Sequence, residues 1–192
     1  MSVEGTRPEP VRHPVTNRKI ADWKLEIVKP IVVLGDSNLG NLPEIRDGEI
    51  QVDIFPGASF NHVRGVLEKL SPKPEIKTVV LALGLNNGAL TQTVSTSWKQ
   101  FQQLYKTCGR IFPRADIFFP QGRYPGSLDM STQERLDDLE EKIYTELKPM
   151  ELTGCHAPVE MEVGNPACWS ADYADHLLTS WVEEIWEGPR DY

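Results

Sequence analysis

The sequence predicts a single α/β domain built on a parallel sheet that helices cover on both faces. Its 192 residues suit one domain. Hydrophobic residues make up 40% of the chain, which is enough for a packed core. Short apolar runs alternate with stretches of helical periodicity, as in chains that form right-handed strand–helix–strand crossovers. In such sheets ligands bind at the carboxyl ends of the strands.

Three apolar runs are typical of buried strands, and a fourth stretch, IQVDIFPG, alternates apolar and polar residues as a strand does. Each ends at a glycine, a proline or a polar turn, and a weaker strand is expected near residues 159–163. The sheet should therefore have about five strands. The four stretches, in chain order, are KPIVVLGDSN, IQVDIFPG, KTVVLALGLNN and RADIFFPQG.

Four further stretches place their apolar residues on one helical face. Ser131, with Glu134 three residues later, predicts a capping box at the start of the third helix. Ser170 is the predicted N-cap of the last helix. The apolar faces run over residues 60–70, 98–112, 136–147 and 174–185.

Charge and cysteine content bear on the binding partners and the cellular location of the domain. The net charge of -8 disfavours direct binding to nucleic acid or to an anionic membrane, although it leaves room for a local basic patch. Three widely spaced cysteines argue against a disulfide framework or a zinc site. We expect a reducing, cytoplasmic location, because no signal peptide or membrane span is evident.

Residues 1–22 are predicted to be a flexible linker, and residues 23–192 the folded domain. The linker carries three prolines, mixed charge and few apolar residues. It is expected to join the domain to other parts of a longer parent chain. Its basic residues could instead contact RNA or a phospholipid surface. Those residues are Arg7, Arg12, Arg18 and Lys19.

Three strand ends predict a site for acyl transfer. Ser37 follows the first buried strand, so its hydroxyl should point into the cleft as a nucleophile. Gly57, after the second strand, can bring a bare backbone N–H close to a substrate carbonyl. Asn86, after the third, offers an amide donor. A serine surrounded by donors can attack an ester and stabilise the oxyanion that forms.

These strand ends resemble the first three sequence blocks of the SGNH, or GDSL, hydrolases. The matching segments are Gly35–Asn38, Gly57 and Gly84–Asn87, and the resemblance spans about residues 30–186. It implies a flavodoxin-like three-layer sandwich that cleaves acetyl, lipid or carbohydrate esters. It also implies that Ser37 is the nucleophile, that Asp36 orders the loop, and that the Ser37 N–H, Gly57 and Asn86 form the oxyanion hole.

In more detail, the chain is similar to the esterase domains of ORF1 proteins from fish L2-type non-LTR retrotransposons. This likeness implies a domain of a retroelement-like ORF1 protein. The residues that carry it are Arg12–Pro14 through Asp22-Trp23, Val32–Asn38, Gln51–Ala58 and His62.

The fourth block of the family, Asp-x-x-His followed by a helix, is altered. The matching stretch, Gly164–Ser170, has Asn165 at the position of the acid and Cys168 at that of the base. Asn87 also replaces the aspartate that is usual after Asn86. Because a histidine base contributes about 10²- to 10⁴-fold, we expect weak or absent turnover unless another group substitutes.

Several groups are candidates for that substitution. Asp172 and His176 lie one turn apart on the last helix and would restore a Ser-His-Asp set. Helical rise, however, carries His176 roughly 12 Å from the site and favours an ordinary exposed histidine. Cys168, near a helix N-terminus, could act as a thiolate base or nucleophile. The remaining histidines are His62, on the helix after Gly57 and about one turn from the site, His156 in an unplaced loop, and His13 in the linker.

Two functions therefore stay open. The first is an esterase that acts on a small acetyl or lipid ester through Ser37, with no cofactor or metal. The second is an inactive pseudo-esterase that serves as a lipid- or protein-binding module. Ser37, Gly57 and Asn86 favour the enzyme. The departures from the family pattern favour the binding module, and they are Asn165, Cys168 and Asn87.

Overall fold

A computed structural model describes most of the chain. The described residues are 9–10, 23–36, 39, 42, 48–84, 93–120, 129–152, 161–162, 165–169 and 171–186. In order, the elements are β1 (Glu9–Pro10), β2 (Ile31–Gly35), β3 (Ile50–Ile54), α1 (Phe60–Leu67), β4 (Thr78–Ala82), α2 (Val94–Ile111), β5 (Asp116–Pro120), α3 (Met130–Glu146), β6 (Met150–Leu152), β7 (Met161–Glu162), β8 (Asn165–Trp169) and α4 (Ala171–Trp186).

The main sheet is parallel and has the strand order β1-β3-β2-β4-β5-β6. Four strands of five residues form its centre, and they are the four stretches that the sequence predicts as strands. Two shorter strands, β1 and β6, extend it at the edges. Strand β2 lies at the point where the chain changes direction across the sheet: it pairs with β3 on one side and with β4 on the other. The parallel α/β architecture is confirmed.

Side chains alternate between two buried clusters, one on each face of the sheet. Val32 and Leu34 of β2 face the first cluster, while Ile31 and Val33 face the second. Helices α1, α2 and α3 cover the first face through apolar residues such as Val63, Leu104 and Leu139. Helix α4 covers the second face through Tyr173, Ala174, Leu177 and Trp181. The result is the expected three-layer sandwich.

The weak strand expected near residues 159–163 has a different neighbour from the one anticipated. Its described part, β7, pairs antiparallel with β8 in a separate two-stranded sheet. The main sheet instead gains β6, whose three residues pair with β5. A strand this short shows no hydropathy period, and the sequence therefore gives no sign of it.

The capping box predicted at Ser131 and Glu134 is wrong. Helix α3 begins at Met130, and its N-cap is Asp129, whose carboxylate accepts from the Thr132 N–H at 2.7 Å. The Thr132 hydroxyl also donates to that carboxylate. Since Ser131 already lies in the first turn, its hydroxyl accepts from Arg135 instead. The other predicted cap, Ser170, is outside the described residues.

The folded domain is described from Trp23 onward, and this residue packs into the first core cluster. The segment that follows is held by Gln51, whose side chain accepts from the Val28 N–H and donates to the Glu26 carbonyl. Within the predicted linker, only Glu9–Pro10 is described, and it pairs with the outer edge of β3. The boundary near residue 22 stays a prediction.

Among the helices in the described ranges, none combines the length and the apolar character needed to cross a bilayer.

Candidate active site

The ends of the three central strands lie side by side. In the sheet register Gly35 is level with Ile54 of β3 and with Ala82 of β4. The Phe55 N–H donates to the Gly35 carbonyl at 2.8 Å, which joins the exits of β2 and β3. The loops that carry Ser37, Gly57 and Asn86 therefore leave the sheet from adjacent points. Ser37 and Asn86 themselves are outside the described residues.

Gly35 allows β2 and β4 to approach each other closely at this edge. A Cβ atom placed on Gly35 would lie 2.7 Å from the Ala82 carbonyl oxygen and 2.5 Å from the Leu39 Cδ1 atom. Both partners are confined, because Leu39 is fully buried and the Ala82 carbonyl belongs to a strand. The glycine before Asp36 is thus required by packing against backbone, whatever the chemistry of the loop.

Gly57 occupies a tight turn at the exit of β3. It has a φ of 68°, and the Ala58 N–H donates to the Phe55 carbonyl at 3.0 Å. Proline at the second position and a positive φ at the third are typical of a type II β-turn, in which glycine is strongly favoured. Pro56 and Gly57 occupy those two positions.

The backbone N–H groups around this turn donate hydrogen bonds within the fold, with one exception. The Phe55, Ala58 and Ser59 N–H groups each have an acceptor, and Pro56 has no N–H to donate. In the described part of the chain the Gly57 N–H has no hydrogen-bond partner. A rigid turn therefore presents one unused donor beside the exit of β2. An oxyanion hole requires backbone donors that the fold leaves unused, and the Gly57 N–H meets that requirement.

His62 caps helix α1 and makes the bond that holds the Ser59 N–H. Its Nδ1 atom accepts this bond at 3.0 Å and lies 3.1 Å from the Ser59 hydroxyl. The two residues form a capping box in which histidine takes the place usually held by glutamate or glutamine. A backbone N–H can only donate, so the Nδ1 atom must carry a lone pair, and the neutral ring bears its proton on Nε2.

Aromatic packing holds the His62 ring from the side. Trp23 meets it edge-on with ring centroids 6.1 Å apart, and it packs against Phe55 at 5.4 Å. Lys69 donates from its ammonium group to the Trp23 carbonyl at 3.0 Å. The segment before β2, the exit of β3 and helix α1 are thereby joined around one imidazole. Sequence reasoning missed this arrangement, for which the Ser-x-x-His spacing at 59–62 was the available signal.

The altered fourth block lies at the start of the last helix, as its spacing predicts. Asn165 and Cys168 belong to β8, and α4 begins two residues after that strand ends. Asn165 is paired with Glu162 of β7. Only the backbone of this strand is described, so roles for the Asn165 and Cys168 side chains stay predictions.

The other predicted bases are placed only in part. His176 lies in the second turn of α4 and is exposed, while Tyr173 and Leu177 on the same helix face the core. Asp172 is in the first turn, where the backbone alone is described. Their pairing with Ser37 stays a prediction. His13 and His156 lie outside the described residues.

The rest of the described chain offers no metal site and no reactive thiol near this edge. Its His, Cys, Asp and Glu residues form no cluster of three that could hold a metal ion. Cys108, the described free cysteine, is fully buried in α2, and burial raises the pKa of its thiol to about 12. Such a thiol stays protonated at neutral pH and has no nucleophilic role.

No protein-family model matches the sequence, and no curated protein sequence matches it. Solved structures do. The chain is similar to a member of the lipolytic protein G-D-S-L family from Veillonella parvula, with a TM-score of 0.60 and 12% identity over 81% of this chain and 97% of that one. It is similar to Est24, a carbohydrate acetylesterase from Sinorhizobium meliloti, with a TM-score of 0.60 and 11% identity over 83% and 99%.

A third similar structure is the OSK domain of Drosophila Oskar, with a TM-score of 0.61 and 12% identity over 90% of this chain and 98% of that domain. Identities this low establish the fold alone, since one fold can host unrelated functions. The strand order, the two helical layers and these similarities lead to one conclusion. The chain has the α/β fold of the SGNH, or GDSL, lipolytic esterases.

Proposed function

We propose that this domain is an SGNH-type serine ester hydrolase that acts on small acetyl or lipid esters through Ser37. The observation that carries the proposal is the unused Gly57 N–H, held by a type II turn at a strand exit level with that of β2. Est24, a carbohydrate acetylesterase, and the G-D-S-L protein share the fold, which supports an ester as the substrate.

In this proposal the Ser37 hydroxyl attacks the ester carbonyl and its proton passes to a base. The carbonyl oxygen becomes an oxyanion that accepts from the Ser37 N–H, the Gly57 N–H and the Asn86 amide. Collapse of this intermediate expels the alcohol, which takes up the proton from the base, and leaves an acyl-serine that water hydrolyses to the acid and free Ser37. Removing one oxyanion donor from such a site typically costs about 10²- to 10³-fold in rate.

The base is the weak part of the machinery. Asn165 cannot stabilise an imidazolium, and a cysteine at position 168 would replace the histidine. Without an efficient base the attack of the Ser37 hydroxyl is slow, so we propose slow hydrolysis that exceeds the roughly 10³-fold over water that an oxyanion hole and binding give without the serine. The setting in a retroelement-like ORF1 protein, with other domains on the parent chain, is part of the same proposal and rests on the sequence resemblance.

A second function, an inactive module that binds lipid or protein, is favoured by one structural observation. Neither described histidine offers a base at the site edge, because the His62 Nδ1 is occupied by Ser59 and His176 is exposed on α4. In this reading the strand exits retain their backbone geometry but no longer turn over an ester.

Hydrolysis of p-nitrophenyl acetate distinguishes the two functions. We would compare the wild type, Ser37→Ala, and the double variant Asn165→Asp with Cys168→His. Wild-type turnover that falls in Ser37→Ala to the residual level of the oxyanion hole and binding supports the esterase. Turnover that appears only in the double variant indicates that the site has decayed from an active ancestor. A folded protein with no turnover in any variant supports the binding module and contradicts the esterase.

A further inference from the structure

We infer that His62 is a positioning residue of this site, and that it acts by fixing the turn that presents the Gly57 N–H. The inference rests on the proposed function, since it assigns a task to a residue of the same site. His62 is the histidine nearest in sequence to Gly57, and its spacing makes it an obvious candidate for the missing base. The geometry points to a different role.

The protonation state of the ring argues against a base. A general base needs a lone pair on the nitrogen that faces the substrate. In His62 the lone pair on Nδ1 is already used by the Ser59 N–H, so the neutral ring carries its proton on Nε2. Moving that proton to Nδ1 would set two N–H groups against each other at 3.0 Å and break the cap.

The segment after the glycine turn needs the hydrogen-bond acceptor that His62 supplies. Ala58 and Ser59 connect Gly57 to the first turn of α1, and their N–H groups are held by the Phe55 carbonyl and by His62 respectively. Without an acceptor at position 62 the Ser59 N–H would be left unsatisfied, although Ser59 is buried. The helix would then fray at the residue that anchors the glycine turn.

The imidazole is itself fixed, as positioning requires. Trp23 is only 3% exposed and holds the ring edge-on, while Phe55 backs the tryptophan. Lys69 lies two residues beyond α1, and its ammonium group ties the Trp23 backbone to the end of this helix. A side chain locked by a tryptophan and by its own helix can hold the turn within the narrow range of geometry that a reacting centre tolerates.

Replacing His62 by glutamine and by alanine tests the inference. Glutamine at this position makes the usual capping box and keeps an acceptor for the Ser59 N–H, but it cannot act as a base. We expect His62→Ala to lower kcat for p-nitrophenyl acetate by about 10²-fold with little change in KM. We expect His62→Gln to stay within about tenfold of the wild type. Asn61→Ala, on the exposed neighbour, is the control.

Equal loss in His62→Gln and His62→Ala would overturn the inference, because only a base or another imidazole-specific role predicts it. A second measurement is independent of turnover. Amide exchange of Ser59 should be about fivefold to tenfold faster in His62→Ala and unchanged in His62→Gln. Unchanged Ser59 exchange in His62→Ala would overturn the inference even if the wild type hydrolyses esters.

Nitrogen NMR of the imidazole completes the test. We expect the neutral ring to show an unprotonated Nδ1 and a protonated Nε2, and the opposite tautomer would overturn the inference. If the wild type shows no turnover while exchange and tautomer are as expected, the proposed esterase fails and the structural role of His62 stands.

Discussion

The carboxyl edge of the sheet and the helical layer above it are built on different principles. At the edge, backbone atoms determine the structure: the Ala82 carbonyl excludes a side chain at Gly35, and the Phe55 carbonyl closes the turn at Gly57. In the layer, side chains do so. Phe101 lies 5.0 Å, ring to ring, from both Phe60 and Phe119 and is fully buried.

The glycines show the contrast most directly. A Cβ atom placed on Gly65 of α1 or on Gly109 of α2 would meet nothing within 4 Å, whereas one on Gly35 would collide with backbone. The helical layer has room for a side chain at its two glycines, whereas the carboxyl edge of the sheet has none at Gly35. The candidate site is therefore a property of the backbone at the strand exits, supported by a layer whose stability comes from packing.

The largest expected effect comes from emptying the layer. Phe101→Ala should lower the free energy of unfolding by about 3–5 kcal/mol, because it removes a buried ring and leaves a cavity between α1, α2 and β5. Urea denaturation followed by circular dichroism measures the change. Gln102→Ala, on the exposed side of the same helix, should stay within about 0.5 kcal/mol of the wild type.

A loss below about 1 kcal/mol in Phe101→Ala would contradict the view that the layer depends on side-chain volume. It would mean that α1 and α2 collapse onto the vacated space. The stability of the layer would then not depend on the volume of this side chain, and that half of the contrast would fail.

A methyl group added at the edge should have the next largest effect. Gly35→Ala is expected to destabilise the fold by about 1–3 kcal/mol, since the new Cβ meets the Ala82 carbonyl and buried Leu39. Gly65→Ala is the matched control in the layer. It should raise stability by about 0.5–1 kcal/mol, because alanine loses less conformational freedom in a helix.

Parallel urea titrations of the two alanine variants give the comparison. Equal effects of the same sign at positions 35 and 65 would show that the edge yields to a side chain as readily as a helix does. Opposite signs are the expected result.

The central sheet could be predicted from the sequence because its strands are buried on both faces. The strands Ile31–Gly35 and Thr78–Ala82 are buried at every position and almost entirely apolar, which is the pattern that parallel strands in a sandwich require. What could not be predicted were features too short or too local for a period. The strand Met150–Leu152 has three residues, and the cap at Asp129 competes with a serine two residues later that is equally plausible in sequence.

The candidate site could be predicted as a list of strand ends but not as a geometry. Sequence spacing indicates that Gly57 follows a strand, yet the Phe55 N–H is committed by a bond to Gly35, which is distant in sequence. The role of His62 depends on which nitrogen meets the Ser59 N–H, and residue type alone cannot specify that. A backbone bond between two strand ends decides the first point, and a local side-chain bond decides the second.

Strand β3 departs from the contrast between edge and layer, because it carries a partly buried carboxyl group, that of Asp53. Asp53 faces the same side as Gln51, whose amide donates to it at 2.6 Å. Burial raises the pKa of Asp53 above its ordinary value, and the bond from Gln51 offsets part of that rise. The charged form is thus less favourable in the folded protein than in the unfolded chain.

The smallest expected effect follows from this carboxyl group, and its sign depends on pH. Because the folded-state pKa is raised, Asp53 is protonated in both states at about pH 3 and has no ionisation to oppose folding. As pH rises through the raised pKa, stability is lost.

Asp53→Asn keeps an acceptor for Gln51 and removes the charge, so it should match the wild type at about pH 3 and exceed its stability at pH 7. Urea titrations at both pH values, with Asp116→Asn as an exposed control, measure this difference. A variant less stable than the wild type at pH 7 would show that the Asp53 charge supports the edge, and side-chain electrostatics would then join the backbone in shaping the site.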